Sequence, residues 1–112
     1  MVHTFDVQVK IWRHVDPDTG VVYPGMVDEK ALREKLYRQL KIELESHEQL
    51  HIMEKPVDAH ERLTDEDIAI LMTKIETSAP CRVQLRQLGH FVAKITLHGG
   101  YTLPLKFVVL KR

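Results

Sequence analysis

The sequence predicts a single α+β domain, in which a small mixed or antiparallel sheet ends in a β-hairpin and packs with two helices. Apolar and polar residues alternate over residues 5–11 and again over 91–109, which is typical of strands with one buried face. Apolar residues recur at helical spacing over residues 31–40 and 68–75. A chain of 112 residues is the length of one domain, so we expect residues 1–112 to fold together.

The first half of the chain predicts a strand, a turn and a helix. The strand covers residues 5–11, and Pro and Gly within residues 16–20 supply turn chemistry. Asp28 is a candidate N-cap, because its carboxylate can accept the free amides of a first helical turn. Helix 1 should therefore run over residues 29–40, followed by short strands at residues 41–44 and 50–53.

The second half predicts another helix and the hairpin. Thr64 and Asp67 form a capping-box pattern ahead of a helix over residues 65–76, and a short strand is expected at 82–85. Gly99-Gly100 can form a two-residue turn between strands at 91–97 and 101–109. Pro104 cannot donate to a ladder, which predicts an outward-facing or edge position. The hairpin's second face should carry the polar residues Lys94, Thr96, His98, Thr102 and Lys106.

Composition excludes several classes of protein. Hydrophobic residues make up 44% of the chain, enough to build a core, and the apolar runs are too short to cross a membrane. The single cysteine, Cys81, excludes an internal disulfide framework. The first residues lack the patterns of a secretory or transit peptide.

A formal net charge of zero conceals a strong asymmetry. Residues 1–76 contain ten basic and sixteen acidic residues, whereas residues 77–112 contain six basic residues and no acidic one. Such asymmetry indicates an anionic partner, most often nucleic acid, at the basic end. The alternative is that the two ends neutralise each other inside the fold.

Two patterns in the sequence could indicate catalysis, but a simpler interpretation is favoured for each. His47-Glu48-x-x-His51 matches a zinc-hydrolase pattern, which requires a helix and a third ligand; Glu66 is the distant candidate. The segment is typical of a loop entering a strand, where the two histidines would lie about 13 Å apart. Cys81 lacks any nucleophile signature and is more typical of packing. We therefore expect no enzyme activity, no metal and no cofactor.

Part of the sequence resembles a known family. Residues 88–98 (Leu-Gly-His-Phe-Val-Ala-Lys-Ile-Thr-Leu-His) and 101–109 resemble the end of the C-terminal domain of ribosomal large-subunit protein nine. That family has a Leu-Gly pair, an alternating strand ending in Leu-His, a two-residue turn and a last strand containing Leu-Lys. Residues 23–28 resemble the segment that leads into the family's first helix. The similarity leaves out an acidic insertion at about residues 54–79, which carries helix 2.

The resemblance implies a non-catalytic constituent of the large ribosomal subunit that contacts ribosomal RNA. Arg86 and Lys106 fall where family members often carry Lys, and His98 falls on the Leu-His pair. Together with three further basic residues of this end, the candidates for RNA contact are Arg86, Lys94, His98, Lys106, Lys111 and Arg112.

The departures from the family shape the expected partners and location. The family's N-terminal RNA-binding domain and its long helix have no counterpart in this sequence, and the insertion is acidic. These departures imply that neighbouring ribosomal proteins hold the chain as much as RNA does. They favour a mitochondrial ribosome, with the bacterial cytoplasm as the alternative; neither a membrane nor a small-molecule substrate is expected.

Trp12, Ile68 and Met72 are the candidates for protein contact. Trp12 lies on the polar side of the first strand, where it either anchors a partner or packs under helix 2, and packing is favoured. A free-standing α+β adaptor, which binds another protein through helix 2 and Trp12, is the alternative to the ribosomal function.

Overall fold

The computed structural model describes residues 8–57 and 64–112, which form a four-stranded sheet with two helices. The strand order is β1-β4-β3-β2, with β1 parallel to β4 and the other neighbours antiparallel. The α+β class and the C-terminal hairpin are therefore confirmed. The elements in chain order are β1 (Val9–Arg13), α1 (Glu29–Leu40), β2 (Gln49–Ile52), α2 (Asp65–Lys74), β3 (Gly89–Thr96) and β4 (Thr102–Lys111).

Helix α1 has the bounds that the sequence predicts, because its start signal is local. Asp28 is extended and accepts a hydrogen bond from the Ala31 N–H at 2.9 Å. The helix ends at Leu40. The N–H of the C-cap residue Lys41 donates to the Tyr37 carbonyl, and its positive φ of 58° turns the chain out of the helix. Among the described residues, no helix is long and apolar enough to cross a membrane.

Helix α1 covers the first face of the sheet and closes the main core. Leu32 and Leu36 are fully buried against alternate residues of all four strands. Phe91 of β3 and Phe107 of β4 are cross-strand partners on this face, with stacked rings 5.3 Å apart. This packing fixes the register of the hairpin and hence the position of its basic residues.

Helix α2 covers part of the second face. Its predicted capping box is present: the Thr64 hydroxyl accepts from the Asp67 N–H, and the Asp67 carboxylate accepts from the Thr64 N–H. Ile68 and Met72 pack on Val92 of β3. The second face of the hairpin is thus partly buried under α2, whereas the sequence predicted a polar face. Helix α2 contacts β3 and β4 but not β1, within the described part of the chain.

Several predicted bounds need correction. The first strand begins at Val9 and extends to Arg13, and the predicted positions 5–7 lie outside the described residues. Helix α2 ends at Lys74, two residues early. Residues 41–44 form no strand, since the left-handed Lys41 turns the chain there. The predicted strand at 82–85 is reduced to one bridge between Leu85 and Val27.

The hairpin turn is one residue longer than predicted. The Leu97 N–H donates to the Tyr101 carbonyl, which encloses three residues, and both glycines have positive φ. Pro104 is buried, so it is not outward-facing. The described pairing of β4 with β1 covers residues 107–111, and the chain that would lie beside Pro104 falls outside the described residues, so an edge position stays a prediction.

The outer edge of β1 is covered by a side chain from α1. The Gln39 side-chain amide donates to the Lys10 carbonyl at 2.6 Å and accepts from the Lys10 N–H at 2.9 Å. Both backbone groups of Lys10 are therefore satisfied at a sheet edge.

Candidate nucleic-acid interface

The ion pairs of the described residues do not join the acidic and basic parts of the chain. They link Glu29 with Arg33, Glu34 with Arg38, and Glu45 with His47. Within residues 8–57 and 64–112, none involves a basic residue after residue 76. Internal ion pairing therefore does not account for the charge asymmetry in the described part of the chain.

Four cationic residues converge at one end of the sheet. Arg13 Nε donates to the Met26 carbonyl at 3.2 Å, and Arg86 Nη1 donates to the adjacent Gly25 carbonyl at 3.3 Å. Lys111 is the cross-strand partner of Arg13, and the Arg112 N–H donates to the Arg13 carbonyl at 2.9 Å. We name Arg13, Arg86, Lys111 and Arg112 the basic cluster.

The basic cluster has the chemistry of an anion-binding surface. Arg86, Lys111 and Arg112 are exposed, and Arg13 is half-buried. A guanidinium that donates to a neutral carbonyl keeps its charge and still has N–H groups for a phosphate. The carbonyls of residues 25 and 26 thus orient the two arginines without neutralising them.

Arg13 is a member that sequence reasoning missed. Its place beside Lys111 depends on the parallel pairing of β1 with β4, two strands separated by most of the chain. The available signal was the apolar alternation of β1, which continues from Val9 through Ile11 toward Arg13.

Trp12 lies on the second face of β1, next to the basic cluster. Its side chain is 50% exposed, and its cross-strand neighbour on β4 is the half-buried Leu110. The Trp12 carbonyl accepts from Arg13 Nη1 at 3.0 Å. The favoured expectation, packing under α2, is wrong, because α2 does not reach β1 among the described residues.

Three predicted RNA-contact residues lie away from the cluster. Lys94 is half-buried, and its Nζ is 3.4 Å from the Met72 carbonyl near the end of α2. Lys106 is half-buried opposite Val92. His98 is in the turn at the other end of the hairpin, where its ring meets that of His47 edge-on at 5.3 Å.

The surroundings of His98 disfavour a phosphate. Glu45 and Glu48 line the same shallow groove as His47 and His98. The predicted candidates therefore do not form one surface; Arg86, Lys111 and Arg112 are brought together, whereas Lys94, Lys106 and His98 are not.

The His47-Glu48-x-x-His51 pattern is not on a helix. His47 is exposed in a turn, whereas His51 lies in β2 and is only 3% exposed. His51 Nε2 is 2.8 Å from the Ala79 carbonyl, which can only accept, so Nε2 carries the hydrogen. Among the described residues, no three or more His, Cys, Asp or Glu side chains form a group that could hold a metal ion.

Two further predicted residues are not available to a partner. Ile68 and Met72, named for protein contact, are buried against Val92 of the same chain, which corrects that expectation.

Cys81 is half-buried and packs against the main core, beside a cavity of about 620 Å³ that His51 also lines.

Comparisons of this chain with protein-family models, with curated proteins and with solved structures found no match. The arrangement of its own side chains is therefore the guide to its function.

Proposed function

We propose that this protein is a non-catalytic structural component of a large ribosomal subunit, where it binds ribosomal RNA and neighbouring proteins. The basic cluster is the observation that carries the proposal. It gathers four cations at one end of the sheet, and no described ion pair neutralises them.

The chemistry of such a surface suits the backbone of RNA. Phosphates attract exposed cations, and the counterions that RNA releases on binding add to the affinity. Contacts of this kind position a protein without making or breaking a bond. The exposed acidic residues on the first turn of α2 form no ion pair with these cations in the described structure.

The sequence similarity to ribosomal protein nine supports the ribosomal part of the proposal. The residues that carry the resemblance form β3, the turn and β4, and, apart from the inserted α2, the elements follow the order strand, loop, helix, short strand and hairpin that the resemblance implies. The proposed location is the mitochondrial ribosome, with the bacterial cytoplasm as the alternative.

Co-sedimentation tests this proposal directly. A tagged full-length chain is expressed in its own cells, and ribosomal subunits are separated on gradients after washes of rising salt. We expect the chain in the large-subunit fractions at low and moderate salt, and released at high salt as its phosphate contacts are screened. A chain that sediments only as free protein at low salt would exclude the ribosomal function.

A protein-binding adaptor is the second candidate, because half of the Trp12 side chain is exposed. Salt separates the two candidates. Binding through phosphates falls steeply with salt, whereas binding through a buried aromatic anchor changes little.

A further inference from the structure

The uncovered part of the second sheet face combines an aromatic side chain with cations. Lys10 and Trp12 alternate onto the same face of β1, and α2 does not contact this strand within the described chain. The exposed half of the indole is thus available at the surface.

Charge around Trp12 has one sign along both strands. Neither β1 nor β4 contains an acidic residue. Lys10 and Lys106 alternate onto the face of Trp12, whereas Arg13 and Lys111 belong to the opposite face, from which Arg13 Nη1 reaches the Trp12 carbonyl at 3.0 Å. Arg112 continues β4 and bonds to the backbone of β1. The charged side chains that these two strands offer to a ligand on Trp12 are therefore all positive.

We propose that Trp12 stacks on an unpaired base of an RNA strand while the basic cluster holds the adjacent phosphates. This inference rests on the proposed function and names the surface and the form of RNA that it uses. An exposed indole beside cations is the combination that single-stranded nucleic acid requires, since every base has a flat face and every linkage has a charge.

A protein partner fits this surface less well. The centre of a protein interface is depleted of charged residues, and a protein would have to bring carboxylates to match the cations around Trp12. Duplex RNA also fits less well, because its bases are stacked on one another and cannot reach the indole.

Fluorescence tests the inference, because Trp12 is the only tryptophan in the chain. The full chain is titrated at low salt with a single-stranded RNA 10-mer and with the same sequence as a blunt duplex. We expect the single strand to quench the tryptophan emission, and the duplex to bind with much less quenching.

Variants separate stacking from charge, with binding measured by the anisotropy of labelled RNA. Trp12→Ala should weaken single-strand binding about tenfold and leave duplex binding unchanged, and Trp12→Phe should keep most of the affinity. Tyr101→Ala is the matched control, because Tyr101 is an exposed aromatic at the other end of the hairpin. Circular dichroism checks that each variant is folded.

The outcomes distinguish this inference from the proposed function. Absence of quenching by the single strand would overturn the stacking role even if the chain co-sediments with ribosomes, and this measurement needs no variant. Quenching without co-sedimentation would keep the stacking role and reject the ribosomal one. Loss of subunit binding in Trp12→Ala, with RNA binding unchanged, would mean a protein contact and would also overturn the inference.

Discussion

At the residue scale, short-range hydrogen bonds fix where the helices begin and how one carboxyl group titrates. The Thr64 N–H and the Thr64 hydroxyl donate to the Asp67 carboxylate at 3.1 and 2.8 Å. These bonds, the backbone one first, lower the pKa of Asp67, because they favour its charged form. The stability of helix α2 should therefore depend on pH through Asp67.

Acid should weaken the fold through Asp67. Because the pKa of Asp67 is lower in the folded chain than in the unfolded one, its carboxylate stabilises the fold at pH values above the ordinary carboxyl pKa. This stabilisation is lost as the pH falls below about 4 and passes through the lowered pKa of the folded chain. Asp67→Asn should therefore reduce the loss of stability between about pH 4 and pH 2. Urea unfolding at several pH values measures this. Glu66→Gln removes a charge from the same turn without the Thr64 bonds, and an equal effect there would contradict the assignment.

The helix caps could be predicted from the sequence, whereas the surroundings of Trp12 and Arg13 could not. Asp28 and Thr64 each accept from an amide three residues away, so their capping roles could be predicted from the sequence. The exposure of Trp12 and the place of Arg13 depend on which elements cover β1 and which strand pairs with it. Those are tertiary facts that a local pattern does not contain.

At the element scale, the two helices bind the sheet on opposite faces and to different extents. Helix α1 was predicted to its end residues because its N-cap and its regular apolar stripe are both visible in the sequence, whereas the left-handed Lys41 that ends it was not predicted. The position of α2 over Val92 was not predicted, because one apolar residue among polar neighbours does not reveal a second buried face. The isolated strand predictions at 41–44 and 82–85 failed for lack of a long pairing partner.

Removing one side chain should show how firmly α2 is bound. Ile68 is 1% exposed, and Ile70 on the same helix is 54% exposed. Ile68→Ala should lower the free energy of unfolding by about 2–4 kcal/mol, since it leaves a cavity above Val92. Ile70→Ala should change it by about 0.5 kcal/mol or less. Chemical denaturation measures both, and equal losses would mean that α2 is not packed as described.

At the scale of the whole molecule, charge is divided between surfaces. Helix α1 carries two ion pairs of its own, Glu29 with Arg33 and Glu34 with Arg38, while the cations at one end of the sheet have none among the described residues. The sequence predicted the asymmetry but not its geometry. Strand pairing across the chain brings Arg13 to Lys111, and loop carbonyls orient Arg86.

The salt dependence of RNA binding should report on this division of charge between surfaces. Arg86→Ala removes one phosphate contact, so the slope of log affinity against log salt for RNA should fall by about 0.7–0.9. Lys30→Ala, on the exposed face of α1, removes the same charge elsewhere and should leave the slope unchanged. Filter binding between about 50 and 200 mM salt measures both. Equal changes of the slope in the two variants would indicate that RNA binding depends on the net charge of the protein alone.

The Gln39 amide on the outer edge of β1 has a consequence for solubility. A second copy that approached this margin to extend the sheet would find the peptide of Lys10 already occupied. The opposite margin, β2, is only four residues long. Both sides of the sheet therefore resist templating by a second copy, which disfavours fibrils that grow through the sheet edges.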